Sequence, residues 1–103
     1  MTTTETYSTI HRALTDTALL HGLTRTEMRV VVALADRGGR SRTDEITADL
    51  CLGSGSAVRR AIAELRRRGQ VAPARTELKL SAAGRTAHRA FVRSLKGARH
   101  GVV

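Results

Sequence analysis

Residues 46–71 hold the stretch that decides the fold: ITADLCLGSGSAVRRAIAELRRRGQV. Apolar side chains recur at helical spacing on both sides of a Gly/Ser-rich segment at residues 53–56. This pattern predicts a short helix over about 43–50, a tight turn, and a second helix over about 56–68 that stops at Gly69. Two helices joined by a short glycine-containing turn, the second one basic on its outside, form a helix-turn-helix.

The second of these helices has an apolar face and an opposite basic face. The inward positions are Val58, Ile62 and Leu65. A rotation of about 100° per residue then places these side chains outward: Ser56, Arg60, Ala63 and Arg67. A helix fits the major groove of duplex DNA, where arginine binds guanine O6 and N7 through two parallel hydrogen bonds. We therefore predict groove contacts by Arg59 and Arg60, and phosphate contacts by the arginines at the far end.

Small polar residues precede this helix. Ser54, Gly55 and Ser56 offer hydroxyls and backbone N–H groups at a helix N-terminus, which is a favourable place for a phosphate. We expect these three residues to contact the DNA backbone. The alternative for an arginine-rich helix is a solvated surface in a chain whose 16 arginines and 2 lysines reflect a GC-rich genome.

After Gly69 the spacing of the apolar residues changes from the helical period to the alternation of a strand. Residues 70–74 and 77–81 are predicted to form a small hairpin, since Leu78 and Leu80 alternate with polar residues. Pro73 implies that its strand lies at an edge of the sheet. Arg75 and Lys79 are candidates for phosphate contacts, and the alternative is that they are exposed hairpin charges.

Helices are predicted on both flanks of this region. Thr24 and Glu27 have the spacing of a capping box for a helix that ends near Gly38. A first helix is predicted within residues 5–22, and a last helix over 82–97, followed by a flexible tail at 98–103. The fold is therefore mainly α with a small β-hairpin, in one domain over residues 1–97.

The order helix, helix, short helix, tight turn, helix, hairpin, helix resembles winged helix-turn-helix regulators of the MarR type. The resemblance is best over residues 24–84, and the stretches that carry it are 46–50, 56–71 and 78–84. It implies a positioning helix, a recognition helix that ends at a glycine, and a wing strand that leads into the last helix. The turn before Val58 is one residue longer than is usual in that family, and the hairpin is short.

The terminal helices hold more apolar side chains than one small core needs. In the resembled family the first and last helices interlock in a homodimer, which would set two recognition helices about 34 Å apart on one face of DNA. The residues predicted for this interface are Tyr7, Ile10, Leu14, Phe91 and Leu95. The alternative is that both helices complete the core of a monomer.

The charge is concentrated in the second half of the chain. The formal net charge of the 103 residues is +9; residues 1–50 hold 6 arginines and 7 acids, a net charge of −1, and residues 51–103 hold 12 basic and 2 acidic residues, a net charge of +10. Such asymmetry indicates a polyanionic partner. Only Tyr7 and Phe91 are aromatic, and both lie on predicted core faces. Single-strand binders stack bases on exposed aromatics, so duplex DNA is favoured.

Other chemistry finds little support in the sequence. The four histidines lack metal-ligand spacing, and Cys51 is expected to be a small core residue. We predict no enzyme activity, no cofactor, no membrane partner and a cytoplasmic, nucleoid-associated protein. The expected function is transcriptional regulation, as a repressor that occupies its operator; any small-molecule effector would use a crevice beside the terminal helices. The alternatives are a plasmid- or phage-encoded partition, excision or architectural protein, and a protein-interaction module whose arginines meet an acidic partner.

Overall fold

The computed structural model of the chain describes residues 3–50 and 55–100, and describes side chains for residues 6–50 and 55–97. These residues form five helices and a three-stranded antiparallel sheet. The helices are α1 (Thr3–His21), α2 (Arg25–Asp36), α3 (Thr43–Leu50), α4 (Gly55–Arg67) and α5 (Ala82–His100). The strands are β1 (Arg40–Arg42), β2 (Val71–Ala74) and β3 (Glu77–Leu80).

The capping box predicted at the start of α2 is present. The Thr24 hydroxyl accepts the backbone N–H of Glu27 at 3.1 Å, and the Glu27 carboxylate accepts the backbone N–H of Thr24 at 2.9 Å. This pair satisfies two N–H groups that the first turn of a helix cannot pair internally. Gly22 and Gly69, with φ of 68° and 74°, end α1 and α4 in the left-handed conformation that glycine adopts without a Cβ penalty.

The core is a single apolar cluster to which all five helices and the sheet contribute. Its most completely buried side chains are Met28, Val30, Val31, Leu34, Ile46, Val58 and Leu65. Four of the seven come from α2, which therefore runs through the centre of the domain. The Val58, Ile62 and Leu65 face of α4 is buried as predicted.

The predicted hairpin is confirmed, and it gains a third strand. The strand order is β1-β3-β2, so β2 with Pro73 lies at an edge, as predicted. Strand β1 was not predicted because Arg-Ser-Arg shows no apolar alternation. Its backbone pairs with β3, and Ser41 turns inward opposite Leu78.

Two further expectations were wrong. The last helix ends at His100 and not at residue 97 as predicted; residues 101–103 lie outside the described part of the chain. Tyr7 was expected on a core face, but 70% of its surface is exposed. It lies in the first turns of a helix whose buried side begins at Ala13, so nothing in the described protomer covers it.

Candidate nucleic-acid interface

Helix α4 presents a continuous basic surface opposite its buried face. The side chains predicted to point outward are all exposed, and so are two arginines that flank them: Ser56, Arg60, Ala63 and Arg67, with Arg59 and Arg66 at their sides. Because α4 packs on α2 and on α3, this surface belongs to a rigid part of the domain. We call this set the α4 outer face.

At the start of α4, the guanidinium of Arg59 lies over Gly55. A Cβ atom built on Gly55 would lie 3.0 Å from Nη1 of Arg59 and 3.6 Å from the methyl carbon of Thr47 on α3. The guanidinium therefore occupies the space above Gly55, on the side of α4 that faces Thr47 of α3. Gly55 thus does more than expose its N–H: its missing side chain makes room for the arginine.

Arg60 lies on the other flank of α4, beside the N-terminus of α2. It borders an open cleft of about 310 Å³, whose other lining residues are Thr24, Thr26, Glu27, Ala57 and Ala61. Arg59 and Arg60 make no hydrogen bond or ion pair within the part of the chain that the structure describes. Their donor groups are therefore available to an external acceptor.

The end of α4 is different, because Arg67 and the adjoining Arg68 are bound by an acid of the same helix. Glu64 accepts hydrogen bonds from Arg67 Nε at 3.0 Å and Nη2, and from Arg68 Nε at 2.9 Å. Hydrogen bonds from Arg67 and Arg68 lower the pKa of Glu64 to about 2, and the carboxylate in turn raises the pKa of Arg67. Arg68 also donates to the carbonyl oxygen of Gly22 and so ties α4 to the end of α1.

An ion-pair cluster fixes α3 against α2. Arg37 donates to both carboxylate oxygens of Asp49, at 2.6 and 2.9 Å, and to Glu45 at 3.0 Å. The hydrogen bonds from Arg37 lower the pKa of Asp49. Arg29 of α2 donates to the carbonyl of Leu50 at 3.2 Å and holds the last residue of α3. These bonds join both the middle and the end of α3 to α2.

The hairpin turn carries the other predicted contacts. Ala74 pairs with Glu77, so Arg75 and Thr76 form a two-residue loop. Arg75 has φ of 61°, a left-handed value that favours glycine or asparagine. Arg75 and Lys79 are exposed. Exposure is required both by the prediction that they contact phosphates and by the alternative that they are solvated charges of the hairpin.

The structure does not bring all of the remaining predicted site residues together on one surface of the protomer. Ser54 and Cys51 lie outside the described residues. Of the residues predicted for a dimer interface, Leu14 and Phe91 are buried within the protomer, Leu95 is half-buried, and Tyr7 and Ile10 are exposed.

The role of Glu64 was not predicted from the sequence. Its spacing of three and four residues from Arg67 and Arg68 is that of stabilising helix pairs, so the signal was present. Arg40 was also missed, since it belongs to the strand that the sequence did not reveal.

Other chemistry gains no support from the described residues. None of their His, Cys, Asp and Glu side chains form a group of three or more that could hold a metal ion. His11 pairs with Arg25 at 2.9 Å. Among the described helices, none is long and apolar enough to cross a membrane. A cleft of about 330 Å³ lies between α1, α2, α3 and α5, with Ile10, Arg29 and Phe91 in its lining.

No protein-family model matches the chain, and neither a curated protein nor a solved structure matches it.

Proposed function

We propose that this protein is a winged helix-turn-helix that binds duplex DNA with α4 in the major groove and regulates transcription. The observation that carries the proposal is the state of the arginines on the α4 outer face. Arg59, Arg60 and Arg66 are exposed and have no internal partner among the described residues, whereas Arg37, Arg67 and Arg68 are bound by acids. Unpaired guanidinium groups on one helix face suit the acceptor edges of guanine and the phosphates beside them.

The arrangement of the elements supports the same proposal. Helices α3 and α4 have the order and the short connection of a helix-turn-helix, and the β2–β3 hairpin follows α4 directly. The hairpin then serves as the wing, with Arg75 at its tip. Strand β1 ties this wing to the segment that leads into α3, so wing and recognition helix approach DNA as one unit.

We further propose that the protein acts as a homodimer and as a repressor. The apolar side chains exposed on α1 are Tyr7, Ile10, Leu19 and Leu20. Exposed apolar side chains of this size favour association, and a two-fold dimer would place its recognition helices about one helical turn of DNA apart. Sedimentation tests this part: a stable 11.1 kDa species at micromolar concentration contradicts it.

The test of DNA binding begins with duplexes selected from a random library by the protein itself. We expect retention at low salt, a consensus sequence among the selected duplexes, and a log–log salt dependence with a slope of roughly −0.9 for each phosphate neutralised. Absence of duplex binding at low salt, together with retention of an acidic protein, contradicts the proposal.

The matched variants are Arg60→Ala and Arg12→Ala. Both remove one exposed positive charge, but Arg12 lies on α1. Arg60→Ala is expected to cost on the order of 1–3 kcal/mol on the selected site and to relax the preference at one base position. Arg12→Ala is expected to keep the wild-type base preference at every position of the selected site. If Arg60→Ala lowered the affinity for all sequences equally, Arg60 would contact a phosphate and not a base.

A further inference from the structure

Helix α5, which the proposed function leaves unused, carries a second basic surface. Its cations are spaced by four, four and three residues and form one row along the helix: Arg85, Arg89, Arg93 and Lys96. At about 100° per residue, these four positions fall within an arc of roughly 80°. The buried residues Gly84, Ala87 and Phe91 lie on the opposite side of the helix. All four cations are exposed, and we call this set the α5 stripe.

The charge of the α5 stripe is not neutralised within the part of the chain that the structure describes. Residues 78–103 contain no Asp or Glu, and none of the ion pairs between described residues involves α5. Arg89 donates to the hydroxyl of Thr86 at 3.3 Å. Like charges four residues apart destabilise a helix, so an external anion would restore stability that the stripe costs. A GC-rich genome accounts for arginine in place of lysine, but it does not account for the missing acids.

A second copy of this chain is a poor partner for the α5 stripe. Most of the acids with described side chains already make ion pairs or a capping bond inside the protomer. The two described acids outside these bonds are Asp16 on α1 and Asp36 on α2. Two carboxylates on different helices do not match a row of four cations on one helix. A homodimer formed through the apolar side chains of α1 therefore leaves the stripe free.

The composition of α5 favours a phosphate backbone as the occupant. The other exposed residues of its described part are small: Ala82, Ala83, Thr86 and Gly97. The stripe therefore lacks the aromatic or large aliphatic anchors that protein interfaces and membrane-bound helices use. From Arg85 to Lys96 the helix rises by about 16 Å, a length over which each strand of a duplex carries about five phosphates. A row of charge without an apolar anchor is typical of sequence-independent binding to DNA.

The α5 stripe and the α4 outer face look in different directions. Helix α4 packs on α2, α3 and β2, whereas α5 packs on α1, α2 and β3. Both helices thus pack on the central α2 without packing closely on each other, and each turns its basic side away from the core. Packed helices lie about 8–10 Å apart, so two helices that share a partner without packing on each other lie on different sides of it. This arrangement suits two separate duplexes.

We propose that the α5 stripe binds the phosphate backbone of a second duplex, so that the protein bridges two segments of DNA. The α4 outer face holds one duplex and carries the sequence preference, and the stripe holds the other through charge alone. As a bridge, this inference rests on the proposed function. The binding of a duplex by the stripe itself does not require α4.

The test is the capture of a second duplex by protein that is already bound to a first one. A duplex trimmed to the selected site is fixed to beads and saturated with protein, and a labelled duplex of about 30 bp with an unrelated sequence is then added. The wild type is expected to retain the labelled duplex at low salt. The affinity of this capture is expected to fall with a log–log slope of roughly −3 to −4, about −0.9 for each cation of the stripe.

The variant that tests the stripe is Arg93→Glu. It places a carboxylate four residues after Arg89 and three residues before Lys96, spacings at which helix ion pairs form. Capture of the second duplex is expected to weaken on the order of tenfold or more, because one cation is lost and two become paired. Binding to the fixed duplex stays close to the wild-type value. The Tm is expected to equal or exceed that of the wild type, since ion pairs replace like-charge repulsion.

The matched control is Arg12→Glu, which makes the same change of charge on α1. It is expected to leave capture of the second duplex near the wild-type value. A folding defect would lower the Tm and weaken both binding steps, so a selective loss of capture in Arg93→Glu with an unchanged Tm identifies the stripe.

Three results would overturn the inference alone. The first is wild-type capture by Arg93→Glu, since bridging would then use the α4 faces of two protomers. The second is a reduced salt slope of Arg93→Glu on a longer fixed duplex without capture of a second duplex by the wild type, which would assign the stripe to flanking DNA. The third is retention of polyglutamate, but not of the labelled duplex, by the wild type on beads, which would favour an acidic protein.

A different result contradicts the proposed function and supports the stripe. In that case the wild type shows no preference for any sequence, Arg59→Ala/Arg60→Ala binds duplexes as the wild type does, and Arg93→Glu abolishes this binding. Failure of the wild type to bind any duplex at low salt overturns both.

Discussion

The two ends of helix α4 carry the same residue type in different states. At the start, Arg59 and Arg60 are exposed and have no internal partner among the described residues. At the end, Glu64 binds both Arg67 and Arg68. The difference between these ends lies in a single acid at the spacing that lets it reach both side chains. A count of arginines therefore overstates the surface that is available to a polyanion, and the position of the acids corrects it.

The largest expected effect comes from removing the two arginines at the start. Arg59→Ala/Arg60→Ala is expected to lower affinity for the selected duplex by on the order of 100-fold, since each groove contact is worth roughly 1–3 kcal/mol. Arg67→Ala removes an arginine that is already paired with Glu64 and is expected to change affinity only a few-fold. Fluorescence anisotropy at one fixed salt concentration measures both. The comparison of the two ends fails if Arg67→Ala is the more damaging change.

The next effect concerns stability rather than binding. Arg68→Ala removes the bond from α4 to the Gly22 carbonyl and one partner of Glu64. Because the side chain is partly exposed, the expected loss is on the order of 1 kcal/mol, a fall in Tm of roughly 4–8 °C. Arg66→Ala is the control, since Arg66 is exposed and has no internal partner among the described residues. Calorimetry that shows equal Tm values for both variants contradicts a structural role for Arg68.

A smaller effect tests how the start of α4 places Arg59. Gly55→Ala puts a methyl group 3.0 Å from Nη1 of Arg59, so the guanidinium has to shift by a few tenths of an ångström from its place over residue 55. We expect a severalfold loss of affinity for the selected duplex, with thermal stability equal to or above that of the wild type because alanine favours the helix. In the Arg59→Ala background the Gly55→Ala change is expected to have no further effect on affinity. Additive losses in the double variant would show that Arg59 is not the residue displaced.

The smallest effect is a pH dependence at the end of α4. The pKa of Glu64 falls from its ordinary value of 4.5 to about 2 in the folded chain. A lowered pKa stabilises the fold above the unfolded value, and this contribution is lost as the pH falls from about 4.5 to 2. Denaturant titrations at pH 7 and pH 3 measure it, and Glu64→Gln is expected to lose less stability over this interval than the wild type. Identical pH dependence in the two proteins contradicts the ion pairs.

Much of the helical framework was predictable because its signals are local. The capping box at Thr24 and Glu27 and the glycines after α1 and α4 act within one turn of the chain, so their sequence spacing is their geometry. The buried face of α4 was predictable for the same reason, since backbone periodicity alone decides which side chains share a face. Strand β1 was not predictable, because its three residues become a strand only by pairing with β3, which lies far along the chain.

The candidate site divides in the same way. Its exposed residues on α4 followed from the sequence, as did the cation at the hairpin turn. The sequence did not show that Arg59 lies over Gly55 beside Thr47, or that Arg40 faces Lys79. These juxtapositions depend on how separate elements pack, and a pattern along one element carries no information about its neighbour.

By itself, the sequence determined a basic helix with one buried face, preceded by a short helix and followed by a hairpin. The tertiary structure decided which of its arginines are bound by acids, and it added a strand that places Arg40 beside Lys79. The physical reason is one of range. Helix periodicity and capping act over three or four residues, whereas strand pairing and the reach of a guanidinium across elements depend on which distant segments the apolar core brings together.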